Sequence, residues 1–357
     1  IEAGGRKTVA IKLPEFAQKA DAEYHIIISV SNKAGVHPLL ADEHVIAWQQ
    51  FSLTKPLLAI KASASKTKVN LQQTETNVNV SGENFSLNFD KSSGLLNYFN
   101  YRGTELITAG LSGNFWRVLT DNDKGWRAQQ ITRIWNKASL NQKLLAFDVK
   151  QLNAQLIQLT TVHQLANEAA EFTLQYIING DGKLKVNSSL KLLKDNLPIM
   201  PRVGLHMELA GEFKQLEWFG RGPHESYIDR KQSAAVGLYQ STVMEQIHDY
   251  VVPQETGNKT DTRWVILVNE QDIGIKVTSD KLFSFSALPY NKFDLYNEKE
   301  VPTHSAEVPV KNATSLRLDY RQMGVGGDDS WGAKPHKEFM VPAQNYQFSF
   351  SITPVMK

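Results

Sequence analysis

Cysteine is absent from this 357-residue sequence, so the chain can form no disulfide bond and offers no thiolate ligand to a metal. This absence leaves both the cytoplasm and the periplasm open as its compartment. Long apolar runs are missing too. The longest stretches, such as residues 26–30, are far shorter than the roughly 20 residues that a membrane-spanning helix requires. We therefore expect no membrane partner.

Neither sign of charge dominates the sequence. It has 39 Lys and Arg against 37 Asp and Glu, for a net charge of +2, and it contains no basic run. A nucleic-acid-binding surface is consequently not expected. Hydrophobic residues make up 41% of the chain and charged residues 21%, which is typical of a globular protein. The length allows one large or two medium domains with a substantial core.

Several signatures of catalysis and metal binding are also absent. The nine histidines form no HExxH motif, and neither a GxSxG elbow nor a P-loop occurs. Residues 120–125, Thr-Asp-Asn-Asp-Lys-Gly, resemble the opening of a calcium loop. However, the glycine falls one place early, and Thr132 stands where a bidentate Glu is needed. We interpret this segment as an acidic, hydrogen-bonded surface turn.

The dominant hydrophobic period is two residues, which is typical of β-strands. In residues 203–209 and 348–352, apolar side chains alternate with polar or small ones. Runs rich in β-branched or aromatic residues predict further strands at 24–30, 48–53, 85–89, 172–178, 264–268 and 316–320. A helical pattern is visible only at residues 126–140. The sequence therefore predicts an all-β fold.

A polar stretch of low complexity, residues 61–67, follows Pro56 and predicts a linker. We expect a partial β-sandwich at residues 1–55, a linker at 56–67 and a large domain at 68–357. The first block offers about four strands, fewer than the roughly seven of a closed sandwich. The large domain shows no second linker, which favours a large twisted double sheet.

The most informative segment is residues 324–331, Gly-Val-Gly-Gly-Asp-Asp-Ser-Trp. Its three glycines allow a tight loop, on which Asp328, Asp329 and Trp331 lie close together. Carboxylates bind sugar hydroxyls, and an aromatic face stacks on the C–H surface of a sugar. The segment therefore suggests a carbohydrate site. The alternative interpretation is a structural turn with a core tryptophan.

A second polar segment, residues 220–227, gathers Arg221, His224 and Glu225 behind a predicted strand. These side chain types can perform acid–base chemistry. The density of glycines favours instead a sharp strand connection that is tied by its own polar side chains. No catalytic pair can be named from the residues alone, because the two carboxylates of a glycosidase are defined by their separation in space.

Three segments together resemble the C-terminal portion of β-galactosidases of glycoside hydrolase family 2. They are residues 114–125 (NFWRVLTDNDKG), 218–230 (WFGRGPHESYIDR) and 322–331 (QMGVGGDDSW), in the family's order and at compatible separations. Supporting matches lie at residues 46–50, 250–257 and 263–264. The resemblance covers essentially the whole chain. In some family members this region is a separate small chain, and in others it closes one long polypeptide.

The resemblance implies the later part of an immunoglobulin-like sandwich up to about Leu53, followed by a supersandwich similar to galactose mutarotases. The family's two catalytic glutamates lie on a (β/α)8 barrel, and its magnesium and sodium sites also belong to other domains. This sequence shows none of the repeated strand–helix units of a barrel. We therefore expect no catalytic residue, metal or other cofactor in this chain, and a parent enzyme that is a retaining β-galactosidase.

By the same resemblance, Trp331 matches the tryptophan on which the sugar stacks as it enters the cleft. Gly125 matches the start of a mobile active-site loop. Asp328 and Asp329 are expected to brace the Trp331 loop rather than to catalyse. The expected partners are a β-galactoside such as lactose and a catalytic barrel, in the same polypeptide or in a large subunit, within a homo-oligomeric parent.

Two other functions remain open at this point. A stand-alone carbohydrate-binding or assembly module needs no barrel. An aldose mutarotase-like epimerase on the same supersandwich needs a His general acid and a Glu general base on one concave face. The candidates for this pair are His206, His224, His304 and Glu225.

Overall fold

The structure is a computed structural model that describes residues 4–36, 38–58, 65–295, 304–329 and 331–357. The chain divides into two compact units, Ile1–Leu57 and Leu58–Lys357. Residues 59–64 of the expected linker lie outside the described residues, as does Ser330 of the glycine-rich loop.

Among its described residues, the first unit contains one antiparallel hairpin. Strand β1 (His25–Ser31) pairs with β2 (Val45–Ser52), and His25 lies opposite Ser52. Apolar side chains of both strands are exposed, for example Ile46 at 63%. The expected number of about four strands is wrong for residues 4–36 and 38–57. Apolar residues do alternate near Val9, but this segment pairs with no strand in the described part of the unit, and an unpaired segment forms no sheet.

The second unit contains the remaining strands of the described residues. They are β3 Asn70–Gln73, β4 Asn77–Ser81, β5 Phe85–Asp90, β6 Leu96–Tyr101, β7 Thr104–Glu105, β8 Ile107–Asn114, β9 Gln142–Asn153, β10 Leu156–Leu165, β11 Ala170–Asn179, β12 Leu184–Leu192, β13 Arg202–Ala210, β14 Gln215–Gly222, β15 Ala235–Thr242, β16 Lys259–Val268, β17 Ile273–Leu288, β18 Ala313–Gln322 and β19 Tyr346–Met356.

Two sheets are built from these strands. Within the described residues, twelve strands form one sheet, and nine of them lie side by side in the order β15-β14-β16-β17-β19-β12-β11-β10-β9. Strand β18 also pairs with β17, and β13 and β8 follow beyond it. Five strands form the other sheet, in the order β3-β4-β5-β6-β7. The pairing is antiparallel, as between β10 and β11, where Leu156 lies opposite Asn179.

The core of the second unit lies between the sheets, because every second side chain of the strands is buried. In β11, for instance, Phe172, Leu174 and Tyr176 point into the core. The ring of Phe89 in the five-stranded sheet meets that of Tyr176 in the large sheet, with centroids 5.1 Å apart. The two sheets therefore share one hydrophobic core, and the predicted all-β fold is confirmed.

The helices are short and few in the described residues. They are α1 Asp121–Gly125, α2 Ala128–Leu140 and α3 Lys292–Leu295, with 3-10 turns at Met244–Gln246, Ser305–Glu307 and Lys337–Phe339. None of them is long and apolar enough to cross a bilayer. The helix predicted at residues 126–140 is confirmed, except that it begins at Ala128. Arg127 precedes it with a φ of 60°, which a helix does not allow.

Helix α1 begins with a capping box. The Thr120 hydroxyl accepts the amide of Asp123, and the Asp123 carboxylate accepts the amide of Thr120. The prediction of an acidic surface turn is therefore wrong for Asp123, which is buried. Its partner inside the protein is Arg117, and a buried carboxylate needs such a partner to offset its lost hydration.

Candidate functional site

A buried arginine joins α1 to the glycine-rich loop that follows β18. The Arg117 guanidinium donates two hydrogen bonds to the Asp123 carboxylate, both 3.0 Å long. It also donates to the carbonyl oxygens of Met323 at 2.6 Å and Gly324 at 2.7 Å. Because the guanidinium group makes four charge-assisted hydrogen bonds in a site closed to water, it sets the position of α1 relative to the start of the loop.

Two further contacts hold the same loop. The side-chain amide of Asn122 donates to the Val325 carbonyl oxygen at 3.0 Å. The Asp229 carboxylate accepts the amides of Val325 at 3.1 Å and Gly326 at 2.7 Å. Gly324 permits this approach, because a β-carbon there would lie 2.4 Å from an Asp229 oxygen. The sequence analysis did not single out Asp229, although it lies in the matching segment 218–230.

Trp331 lies farther along this loop with 88% of its surface exposed. The alternative interpretation, in which this tryptophan belongs to the core, is therefore wrong. One oxygen of Asp329 accepts the amides of Trp331 at 2.8 Å and of Gly332 and Ala333 at 3.1 Å. The bond from the Trp331 amide, followed by that from Ala333, lowers the pKa of Asp329. Its carboxylate stays ionised and closes the turn that presents the indole.

Asp328 turns away from Asp329 and pairs with His336, 2.8 Å from its imidazole. This hydrogen bond raises the pKa of His336. Both side chains are more than half exposed, so the pair contributes little to stability. The contact links the two ends of the segment that carries Trp331.

Gly125 lies beside the Trp331 loop, although more than 200 residues separate them in the sequence. A β-carbon on Gly332 would be 3.6 Å from the Gly125 carbonyl oxygen. The Lys334 ammonium lies 5.5 Å from the ring centre of the neighbouring Trp126. Gly125 itself is the last residue of α1. The residue with left-handed backbone geometry at this junction is Arg127.

The segment 220–227 brings no acid–base pair together. Arg221 binds Asp261 at 2.6 Å, and His224 contacts the Ser233 hydroxyl at 3.1 Å. The Glu225 carboxylate accepts the Gly257 amide at 2.8 Å and also bonds Arg230, Tyr250 and Thr256. The expectation of a strand connection tied by its own side chains is only half right, because most ties reach other segments. Glu225 and Arg221 hold neighbouring loops in place.

A cluster of buried charges lies on the polar face of β13 and β18. The Arg202 guanidinium is 2.8 Å from Glu255 and 3.4 Å from Asp319, and Arg317 lies 3.9 Å from Glu255. Burial raises the pKa of Asp319 to about 7, against the lowering effect of Arg202. Strand alternation alone predicts that this face meets solvent, so the sequence analysis missed the cluster.

No three His, Cys, Asp or Glu side chains gather as metal ligands among the described residues. The carboxylates that are buried deepest are each bound by arginine: Asp123 by Arg117, and Glu255 and Asp319 by Arg202.

Residues 81–352 match the protein-family model that is described as the β-galactosidase small chain. The chain belongs to the β-galactosidase small-chain family. The match covers most of the second unit, including the Trp331 loop and helices α1 and α2. The family predicted from the three sequence segments is therefore confirmed.

Curated relatives of this chain are named β-galactosidase. The chain is 35% identical to the β-galactosidase of Priestia megaterium, and the match covers 87% of this chain and 30% of the relative. It is 31% identical to the β-galactosidase of Vibrio cholerae, with 99% of this chain and 34% of the relative covered. For the β-galactosidase of Lactobacillus delbrueckii subsp. bulgaricus the identity is 30%, with 100% of this chain and 34% of the relative covered. The chain thus spans about a third of the length of these relatives.

Solved structures are less similar to it. Galactose 1-epimerase from Lactobacillus acidophilus NCFM has a TM-score of 0.44 and 7% identity, with 81% of this chain and 99% of that chain covered. The α-N-acetylgalactosaminidase NagBb from Bifidobacterium bifidum has a TM-score of 0.42 and 9% identity, with 78% and 36% covered. Both TM-scores are low.

Proposed function

We propose that this chain is the non-catalytic C-terminal part of a retaining family 2 β-galactosidase, which hydrolyses terminal β-D-galactosides such as lactose. The family match supports this proposal most directly, because relatives named β-galactosidase are about three times as long as this chain and match most of it. The catalytic glutamates and the magnesium and sodium sites then belong to a barrel and its neighbouring domains.

The contribution of this chain is a preformed aromatic surface at the mouth of the active site. The Trp331 indole is exposed, and the turn that carries it is closed by Asp329. Aromatic rings stack on the C–H face of a sugar, and a rigid support reduces the entropy lost on binding. Arg117 and Asp229 anchor the base of the loop. We propose that this loop receives the galactoside before it moves deeper into the barrel.

The proposal predicts that the isolated chain does not hydrolyse an aryl β-galactoside, because glycoside cleavage needs two carboxylates across the bond and their loss costs orders of magnitude in rate. Mixing it with a separately produced barrel-containing remainder of a relative should restore turnover. The measurement is aryl-galactoside hydrolysis by each part and by the mixture. Turnover by the isolated chain that disappears when one of its own residues is mutated would overturn the proposal.

Gly125 is proposed as the start of a loop that moves as the sugar goes deeper. Alanine is favoured over glycine in a helix by about 1 kcal/mol, so Gly125→Ala should stabilise the observed end of α1. If this end must unwind during the reaction, kcat and KM of the reconstituted enzyme should both change by about fivefold. Lys124→Ala, on the exposed side of the same helix, is the matched control. Unchanged constants in Gly125→Ala would show that α1 stays rigid.

A further inference from the structure

A pocket of about 280 Å³ lies between the end of β18 and the 3-10 turn at Lys337–Phe339, with the middle of β17 as its third wall. The end of β18 contributes Tyr320 and Arg321 to the wall, and β17 contributes Lys281. Trp331 is not among the described residues of this wall. The pocket is therefore a different surface from the one that presents the indole.

Two cationic side chains line this pocket and reach solvent. Lys281 and Arg321 are both exposed residues. The Lys281 ammonium lies 5.1 Å from the centre of the Tyr320 ring, and the Arg321 guanidinium lies 5.7 Å from the same centre. Neither cation has an ion-pair partner in the part of the chain that the structure describes. Because a ligand can reach both groups, their charges are available to bind one.

The aromatic ring that both cations contact is fixed in the protein. Tyr320 stacks on Phe348 with an interplanar angle of 3° and a centroid distance of 5.6 Å. Its hydroxyl accepts a hydrogen bond from the Lys281 ammonium at 3.4 Å and keeps its own proton to donate. Since the packed ring holds the two cations at the pocket, less side-chain entropy is lost when a ligand binds.

The acidic residues of the pocket leave an excess of positive charge. Asp261 is neutralised by two cations, because its carboxylate lies 2.6 Å from Arg221 and 3.0 Å from Lys231. Glu338 is 66% exposed, and the cationic group within ion-pair distance of it is His336, at 4.0 Å. The two cations at the tyrosine ring thus outnumber the one acid that no lysine or arginine neutralises. The pocket therefore attracts an anion.

The size of the pocket admits more than a simple ion. A water molecule takes about 30 Å³ of liquid volume, so the space corresponds to roughly nine waters. We propose that this pocket binds a phosphate group between Lys281 and Arg321, and that the remaining space takes the ring of a hexose phosphate. Lysine and arginine suit phosphate because their hydrogen bonds to it are charge-assisted. A sugar hydroxyl can donate to Glu338, whereas free phosphate is repelled by this carboxylate.

The test is isothermal titration calorimetry on the whole chain at low ionic strength, with D-glucose 6-phosphate, inorganic phosphate and D-glucose as ligands. We expect the hexose phosphate to bind with a Kd of about 0.1–1 mM, and D-glucose to bind at least about tenfold more weakly. A phosphate group carries a charge of about −1.5 to −2 at pH 7. Raising the NaCl concentration to about 0.5 M should therefore weaken the binding of both phosphate ligands about tenfold.

Variants of the two cations identify the site. Lys281→Ala and Arg321→Ala should each raise the Kd of both phosphate ligands about tenfold, because each removes charge-assisted hydrogen bonds. Both residues are exposed, so the unfolding midpoint should stay nearly unchanged. Lys143→Ala is the matched control. It removes an exposed lysine of β9 that lies outside the pocket wall, and it should leave the Kd unchanged.

Glu338→Gln separates the two sources of phosphate. It weakens the acceptor for a sugar hydroxyl and removes a charge that repels free phosphate. The preference for D-glucose 6-phosphate over inorganic phosphate should therefore fall about threefold. Equal affinities in the unaltered chain would identify free phosphate as the ligand of this site.

Two results would overturn the inference. One is the absence of saturable binding up to about 20 mM of either phosphate ligand. The other is a loss of affinity in Lys281→Ala and Arg321→Ala that is no larger than in Lys143→Ala. The site does not depend on the proposed function. A chain that restores hydrolysis yet binds no phosphate would refute this inference and leave the proposed function intact.

Discussion

Arg117→Ala should destabilise the second unit by about 3–5 kcal/mol, the cost of leaving one partner of a buried ion pair alone. The side chain is fully buried, and its loss strands the Asp123 carboxylate together with the carbonyl oxygens of Met323 and Gly324. Buried acceptors without donors retain their full desolvation cost. The measurement is urea unfolding followed by tryptophan fluorescence.

Lys150→Ala provides the matched control. This substitution also removes the cation of an ion pair, since Lys150 pairs with Asp148. However, the side chains of Lys150 and Asp148 are both more than half exposed. Its effect should therefore stay below about 1 kcal/mol. In the reconstituted enzyme, Arg117→Ala should in addition raise KM, because the arginine sets the base of the Trp331 loop. Equal stability losses in the two variants would contradict the anchoring role of Arg117.

Trp331→Ala should raise the KM of the reconstituted enzyme about tenfold and leave kcat within about threefold. Stacking contributes about 0.5–1.5 kcal/mol beyond the apolar area that the sugar covers, and the sum is close to a tenfold change in affinity. A contact made at entry is lost before the transition state, so its removal weakens the first complex and raises KM without slowing the chemical step. Steady-state kinetics with lactose and an aryl galactoside measure both constants.

Two controls separate this effect from misfolding. Since Trp331 is 88% exposed, its replacement should leave the unfolding midpoint unchanged. Trp331→Phe keeps a flat ring and should recover part of the affinity. A loss confined to kcat, or an unchanged KM in Trp331→Ala, would show that the indole does not receive the substrate.

The sequence by itself determined the fold class and most strand positions. The alternation of apolar and polar residues in 203–209 corresponds to β13, and the run at 172–178 lies within β11. This succeeds because a strand between two layers must bury every second side chain. Strand ends were harder to place. The strand expected at 264–268 begins at Lys259, since its length depends on the partner strands β14 and β17.

The sequence also indicated the family and the loop that carries Trp331, because both depend on short motifs whose residues are neighbours in the chain. It did not reveal what holds that loop. Arg117 and Met323 are 206 positions apart, and Asp229 and Gly326 are 97 apart. Only the packing of β8, β14 and β18 into one sheet brings these segments together.

Burial was likewise decided by the tertiary structure. The residues that flank Asp123 in the sequence are typical of a surface turn. Asp123 is nevertheless buried, because Arg117 supplies an ion-pair partner. Trp331 has the side chain of a core residue, yet it is exposed on a turn that Asp329 closes. A local pattern specifies what a side chain can do, whereas its solvation depends on distant segments that the pattern does not contain.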